Sequence, residues 1–213
     1  MFNQVQLSFL FGAADCNMSD LGSECSDTSD VSDFEEEFHS LKIDISNGSP
    51  INTENFNIVH YNINSILATD RIEQLTEICK TLNVDVLIIT EAKLDQTIPN
   101  NLITIQGYHE PLRHDREVNG RHGGGVLIYI AEHLVFQNRP EFQSNYYEHL
   151  WADIRVNDKI YAINALYRPP NESQDDHQLF LQTADNILQQ LSNYDKAAYK
   201  LIAGDINFGN CCS

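Results

Sequence analysis

From residue 56 onward the apolar positions of this chain alternate between two spacings. Some runs are continuous or repeat every second residue, as strands do, and others recur every third and fourth, as helices do. Residues 56–63 are rich in strand-forming types and end in polar ones, which predicts a first strand whose end faces a cleft. Ile72, Leu75, Ile78, Cys79 and Leu82 then fall at helical spacing. Asp70 with Glu73 predicts a capping box at the start of that helix, and Lys80 and Asn83 mark its end. Residues 84–90 form an apolar run of strand length, buried on both faces. A further strand follows Gly123-Gly124-Gly125 at 126–130, and residues 150–156 return as 159–166 through Asn157-Asp158, the signature of a hairpin. Tyr167-Arg168-Pro169-Pro170 stops it. Ser173 opens a long amphipathic helix through Leu179, Phe180, Thr183, Ile187, Leu188 and Leu191, and residues 199–203 are the last strand. Hairpins alternating with helices predict a layered α/β sandwich.

The first 54 residues depart from this pattern. Between Asp15 and Glu37 the chain is mostly Ser, Asp and Glu, too polar to offset the entropy of ordering, so 1–54 is expected to be a disordered acidic tail and 55–213 the folded domain. The net charge is −18, and residues 1–50 hold ten acids against Lys42 alone, so half of the imbalance belongs to the tail. Such a tail could take phosphate at Ser26, Ser29 and Ser32 or bind basic partners, or simply solvate the domain. The five cysteines are scattered without zinc-ligand spacing and are expected to be reduced thiols of an intracellular protein, nuclear or cytoplasmic. No run of about 20 apolar residues marks a membrane span, and Met1–Ala14 lacks the basic start of a secretory signal.

Chemistry is expected where polar residues directly follow buried strands. Four such places occur: Asn62 and Asn64 after the first strand, Glu91 after the second, Tyr167 after the hairpin, and Asp205 with Asn207 after the last. Glu91 adjoins an uninterrupted apolar run, where a carboxylate is expensive unless a cation or hydrogen-bond donors meet it. A hard divalent cation suits that position. Singly, each residue has a bland alternative: a strand-end carboxylate that reaches water, turn-forming asparagines, a core tyrosine, an Asx turn at Gly204-Asp205-Ile206-Asn207. His60 and Trp151 read as core residues.

The ordered series Asn62-Ile63-Asn64-Ser65-Ile66, Ile89-Thr90-Glu91-Ala92-Lys93, Gly123-Gly124-Gly125-Val126, Tyr167-Arg168-Pro169-Pro170 and Gly204-Asp205-Ile206-Asn207 resembles the endonuclease/exonuclease/phosphatase superfamily over residues 56–208. It is most similar to the apurinic-type endonuclease domain of non-LTR retrotransposons. The resemblance implies a two-sheet α/β sandwich flanked by helices and hydrolysis of DNA phosphodiesters with Mg²⁺, or Mn²⁺, as cofactor. Residue by residue it implies Glu91 as metal ligand with Asn64 in the same shell, and Asn62 as a catalytic group beside the metal. It implies Tyr167 as donor to the scissile phosphate, and Asp205 with Asn207 as the pair that orients the attacking water and the phosphate oxygens.

The family pattern also carries a Ser-Asp-His element beyond the Gly-Asp-x-Asn motif, and the 213 residues do not include one. The expectation is therefore a domain incomplete at its C-terminal end, with impaired hydrolysis. DNA contact needs a basic surface, for which Arg113, Arg116 and Arg121 before the glycines and Arg168 after the hairpin are the candidates. Two other readings stay open: a phosphatase of the same superfamily acting on small or lipid phosphoesters, and a catalytically inactive remnant that binds partners.

Overall fold

The computed structural model describes residues 9–10, 39–43, 56–116, 123–144, 147–170 and 173–207. In chain order the elements are β1 (Phe9–Leu10), β2 (His39–Ile43), β3 (Phe56–Asn62), α1 (Arg71–Leu82), β4 (Val86–Thr90), β5 (Leu112–His114), β6 (Val126–Ile130), β7 (Val135–Asn138), β8 (His149–Val156), β9 (Lys159–Tyr167), α2 (Gln174–Asn193) and β10 (Tyr199–Asp205). They form two mixed sheets of four strands, each lengthened by one short N-terminal segment, with orders β2-β3-β4-β6-β5 and β1-β10-β9-β8-β7. The sandwich expected from the alternating pattern is present. Each sheet contains one parallel pair joined by a helix: β3 and β4 through α1, and β9 and β10 through α2.

The two sheets face each other across a core in which Ile58, Val86, Ile88, Ile128, Ala152 and Ile163 are fully buried. A second cluster, Trp151, Ala162, Leu166, Phe180, Ile187, Leu191 and Ile202, lies between the outer face of the second sheet and α2. Alternation along β8 explains the division, because Leu150, Ala152 and Ile154 point to the inner core and Trp151 to the helix. His60 and Trp151 are core residues, as read from the sequence.

Local chemistry accounts for the element ends, with one correction. The Asn157-Asp158 turn has φ of 47° and 63°, the left-handed pair that a two-residue hairpin of this twist requires. Ser173 forms a full capping box with Asp176 at the start of α2. The capping box expected at Asp70 is not formed. Asp70 lies in the left-handed region (φ 60°) rather than the extended one from which a side chain reaches the first turn, and the Gln74 N–H bonds its carbonyl at 3.0 Å instead.

Four strands were not anticipated. Strands β5 and β7 are short edge strands with partly exposed side chains, so no apolar run announces them. Two segments inside the expected tail are strands: β1 pairs parallel with β10, and β2 pairs antiparallel with β3. Leu41 and Ile43 alternate with Ser40 and Lys42, a period of two that the acidic composition around it obscured. The Ser/Asp/Glu stretch at 15–37 lies outside the described residues.

Candidate active site

The two parallel pairs decide where the polar strand ends meet. In a parallel pair both strands finish on the same edge of the sheet, so β3 and β4 deliver Asn62 and Glu91 together, and β9 and β10 deliver Tyr167 and Asp205. Asp205 is the direct register partner of Tyr167, and Asn62 that of Thr90, one residue before Glu91. Because β10 packs across the sandwich on β3 and β4, both sets of strand ends meet at one end of the sandwich. Residues separated by 143 positions thereby become hydrogen-bond partners.

Asn62 is the centre of the cluster. Its Nδ2 donates to Glu91 Oε1 at 3.0 Å and to Asp205 Oδ2 at 2.8 Å. Its own Oδ1 accepts the Asn64 N–H at 3.3 Å, which fixes the amide's orientation. The Tyr167 hydroxyl donates to the same Glu91 oxygen at 3.2 Å. Glu91 Oε2 faces the Lys93 ammonium at 3.8 Å, and that ammonium also donates to Asn64 Oδ1. The expense of a carboxylate at this strand end is thus met by two neutral donors and one cation.

The loop that carries Glu91 is strained and held. Glu91 and Lys93 have φ of 54° and 53°, sparsely populated for residues other than glycine. Four backbone bonds fix them: Ser65 N–H to Glu91 O (2.8 Å), Ile66 N–H to Ala92 O (3.1 Å), Ala92 N–H to Gly125 O (3.3 Å) and Lys93 N–H to Gly124 O (2.9 Å). Strain of this kind persists only where the surroundings over-determine it, and it concentrates at functional sites. The glycine run therefore serves as a backbone platform for the Glu91 loop.

Asp205 is 5% exposed, and burial raises its carboxyl above the ordinary range. The Asn62 amide and the Asn207 backbone and side chain pull it back, while nearby Glu91 adds to the rise. Tyr167 is 3% exposed, and burial first, then Glu91, push its hydroxyl far up, so it stays protonated and remains a donor. Gly204 is dictated by contact, since a Cβ there would lie 1.8 Å from the Leu166 carbonyl oxygen. Asn207 makes the Asx turn that its spacing allowed, its N–H bonding Asp205 Oδ1 at 3.2 Å, and its amide donates to Arg168 O at 2.9 Å.

The basic candidates Arg116 and Arg168 border this cluster, and Arg113 lies apart from it. Arg113 is a staple, its guanidinium donating to Asp115, to Asn100 Oδ1 (2.7 Å) and to the carbonyls of Ile98 (2.9 Å) and Asp95 (2.8 Å). Arg116 forms a two-point ion pair with buried Glu148 and lies over the Tyr167 ring, 5.5 Å from its centroid. Arg168 is 7% exposed, stacked 4.9 Å from the Phe180 centroid and bonded to His177 Nδ1 at 3.0 Å. Arg113, Arg116 and Arg168, expected to contact DNA, each hold a partner within the fold. Arg121 lies outside the described residues. Sequence reasoning missed Glu148, whose polar neighbourhood carries no signal, and the part of Lys93, whose signal is its spacing of two from Glu91.

The donors around Glu91 suit a hard divalent cation. Carboxylate and amide oxygens of Glu91, Asp205 and Asn64 are the ligand type Mg²⁺ prefers, and that ion is commonly held by one or two carboxylates with water. Among the described residues no group of three His, Cys, Asp or Glu gathers. The Lys93 ammonium against Glu91 and Asn64 marks the place as one that takes positive charge.

Residues 59–209 match the model of the Endonuclease/Exonuclease/phosphatase family. The chain belongs to this family. Its fold is similar to the endonuclease domain of TRAS1, a telomere-specific non-LTR retrotransposon, at 13% identity and a TM-score of 0.50, over 73% of this chain and 62% of that one. It is similar also to the human nocturnin catalytic domain with bound sulfate, at 15% identity and a TM-score of 0.52, over 72% and 64% respectively. A 3'-5' exonuclease from Neisseria meningitidis matches at 19% identity with a TM-score of 0.46, over 70% and 57%. The chain thus spans less than two thirds of each of these relatives. No curated protein matches it in sequence.

Proposed function

We propose that this member of the endonuclease/exonuclease/phosphatase family is a Mg²⁺-dependent phosphodiesterase that nicks DNA, of retrotransposon origin. One observation carries the reading: a single amide, Asn62, holds Glu91 and Asp205 within hydrogen-bond reach while the Tyr167 hydroxyl closes on the same Glu91 oxygen. The likeness to a retrotransposon endonuclease domain supports the choice of DNA.

Glu91, with the Asn64 and Asp205 oxygens beside it, would hold the divalent ion, which supplies charge stabilisation at a phosphate oxygen. Asp205, whose carboxyl burial raises above the ordinary range, accepts a proton from the attacking water and orients it. Tyr167 stays a donor and, once turned from Glu91, bonds a phosphate oxygen. Asn62 keeps the two carboxylates in register, and Asn207 fixes the turn that presents Asp205. A preorganised donor of this sort contributes roughly 2.7–4 kcal/mol to the barrier.

The test is conversion of supercoiled plasmid to nicked circles with Mg²⁺, for the wild type, Glu91→Gln and Asp205→Asn. Nicking that both substitutions reduce at least a hundredfold supports the proposal; nicking that survives either one, or none from the wild type, overturns it. A second reading, hydrolysis of small phosphoesters, draws on the internal pairing of Arg113, Arg116 and Arg168 and on the acidic net charge, which offer a polyanion little attraction. Phosphate release from a small diester or monoester, lost in the same two variants, is its signature.

A further inference from the structure

Two residues beyond Glu91 the chain places a cation of its own. The Lys93 ammonium lies 3.8 Å from Glu91 Oε2 and donates to Asn64 Oδ1, spanning the two residues that would meet a divalent ion. Its backbone is pinned in the left-handed region (φ 53°) by the Gly124 carbonyl, so the geometry that brings it there is built into the loop. The other partners of Glu91, Asn62 and Tyr167, are neutral. Among the described residues Lys93 is the cation within ion-pair distance of Glu91.

We infer that Lys93 is a built-in counter-ion: it occupies the Glu91–Asn64 site when no divalent ion is bound and must swing into water before one can bind. The inference rests on the reading of this site as a divalent-ion site and deepens it. Glu91 and Asp205 meet on one amide and repel each other, and a nearby ammonium offsets that repulsion. A divalent ion and an ammonium against the same oxygens repel in turn, so one displaces the other. Lysine suits exchange, being a strongly hydrated point charge on a flexible four-carbon stem. The Lys93 side chain is 34% exposed, and Glu91's is 20%, so the ammonium reaches water more readily than the carboxylate does. Lys93 thereby lowers the affinity for the ion and keeps the ion-free site stable.

The experiment measures Mn²⁺ binding by electron paramagnetic resonance of the free ion and Mg²⁺ binding by calorimetry, on the full chain. The wild type is compared with Lys93→Met, Lys93→Gln and Glu91→Gln, each checked for folding by circular dichroism. Both Lys93 variants are expected to bind at least tenfold more tightly than the wild type, and Glu91→Gln to lose binding. In EDTA the Lys93 variants should melt below the wild type, and Mg²⁺ should raise their melting temperature by more than it raises the wild type's. Equal or weaker affinity in the Lys93 variants, with binding still abolished in Glu91→Gln, overturns the counter-ion inference alone. Absence of binding in the wild type and in both Lys93 variants, or binding that Glu91→Gln leaves intact, overturns the divalent-ion reading with it.

Discussion

Replacing Asn62 by alanine removes the amide that joins the two carboxylates. Glu91 Oε1 and Asp205 Oδ2 lie 3.0 and 2.8 Å from one nitrogen, hence no more than the sum of those distances, 5.8 Å, from each other. Two unit charges at that separation repel by about 3 kcal/mol at an effective dielectric near 20. The two hydrogen bonds to charged groups contribute about 1.5–3 kcal/mol each. The Glu91 side chain is 20% exposed, so water screens part of this, and the net loss expected at pH 7 is about 3 kcal/mol. The assay is urea unfolding without divalent ions at several pH values from 4 to 7. Asp205 already favours its proton in the folded state, and loss of Asn62 strengthens that preference. A carboxyl whose folded pKa is raised is destabilising above its unfolded value, and that cost vanishes as pH falls through the window between the two. The penalty of Asn62→Ala should therefore be largest at pH 7 and shrink toward pH 4. A penalty of the same size at both ends would refute the electrostatic account and leave only lost packing.

Gly204→Ala should cost at least about 4 kcal/mol in urea unfolding, because its Cβ would lie 1.8 Å from the Leu166 carbonyl oxygen and neither strand can yield without breaking the β9–β10 ladder. Gly124→Ala should cost about 1–3 kcal/mol and Gly123→Ala close to nothing: at Gly124 φ is +74° and a Cβ meets Arg116 and Glu148 at 2.9 Å, while at Gly123 nothing lies within 4 Å. Similar melting temperatures for the two variants would contradict this. Burial, then the charge of His114, lower the His149 imidazole to about 4, so the folded protein loses on the order of 3 kcal/mol as pH falls from 6.5 to 4. His149→Gln, which keeps an acceptor for the Ser144 N–H, should flatten that dependence, measured as unfolding free energy between pH 4.5 and 7. An unchanged slope would remove His149 from the account.

The strand and helix positions were legible because their causes are local. A period of two or of three to four marks the buried face, Asn157-Asp158 supplies the left-handed residues of a hairpin, and Ser173 caps the helix behind it. Edge strands β5 and β7 were not legible, since an edge asks little of its side chains, and Asp70 misled because a capping box depends on a backbone conformation that composition does not reveal. The polar residues of the candidate site were legible for the same local reason: each follows a buried run, where a polar group is conspicuous.

What they do to one another was not written locally. That Asn62 joins Glu91 to Asp205 depends on two parallel pairs ending at one edge of a sandwich, which fixes residues from opposite ends of the domain to within ångströms. The arginines show the converse. From sequence each is a free positive charge, yet the fold brings Glu148 to Arg116, Asn100 to Arg113 and His177 to Arg168. Sequence by itself determined which polar residues follow buried runs and where the hairpin turns, because those follow from periodicity and turn sterics along the chain. Only the tertiary structure decided which charges are paired and which gather around Asn62, because Coulomb and hydrogen-bond energies fall off over a few ångströms and follow distance in space rather than separation along the chain.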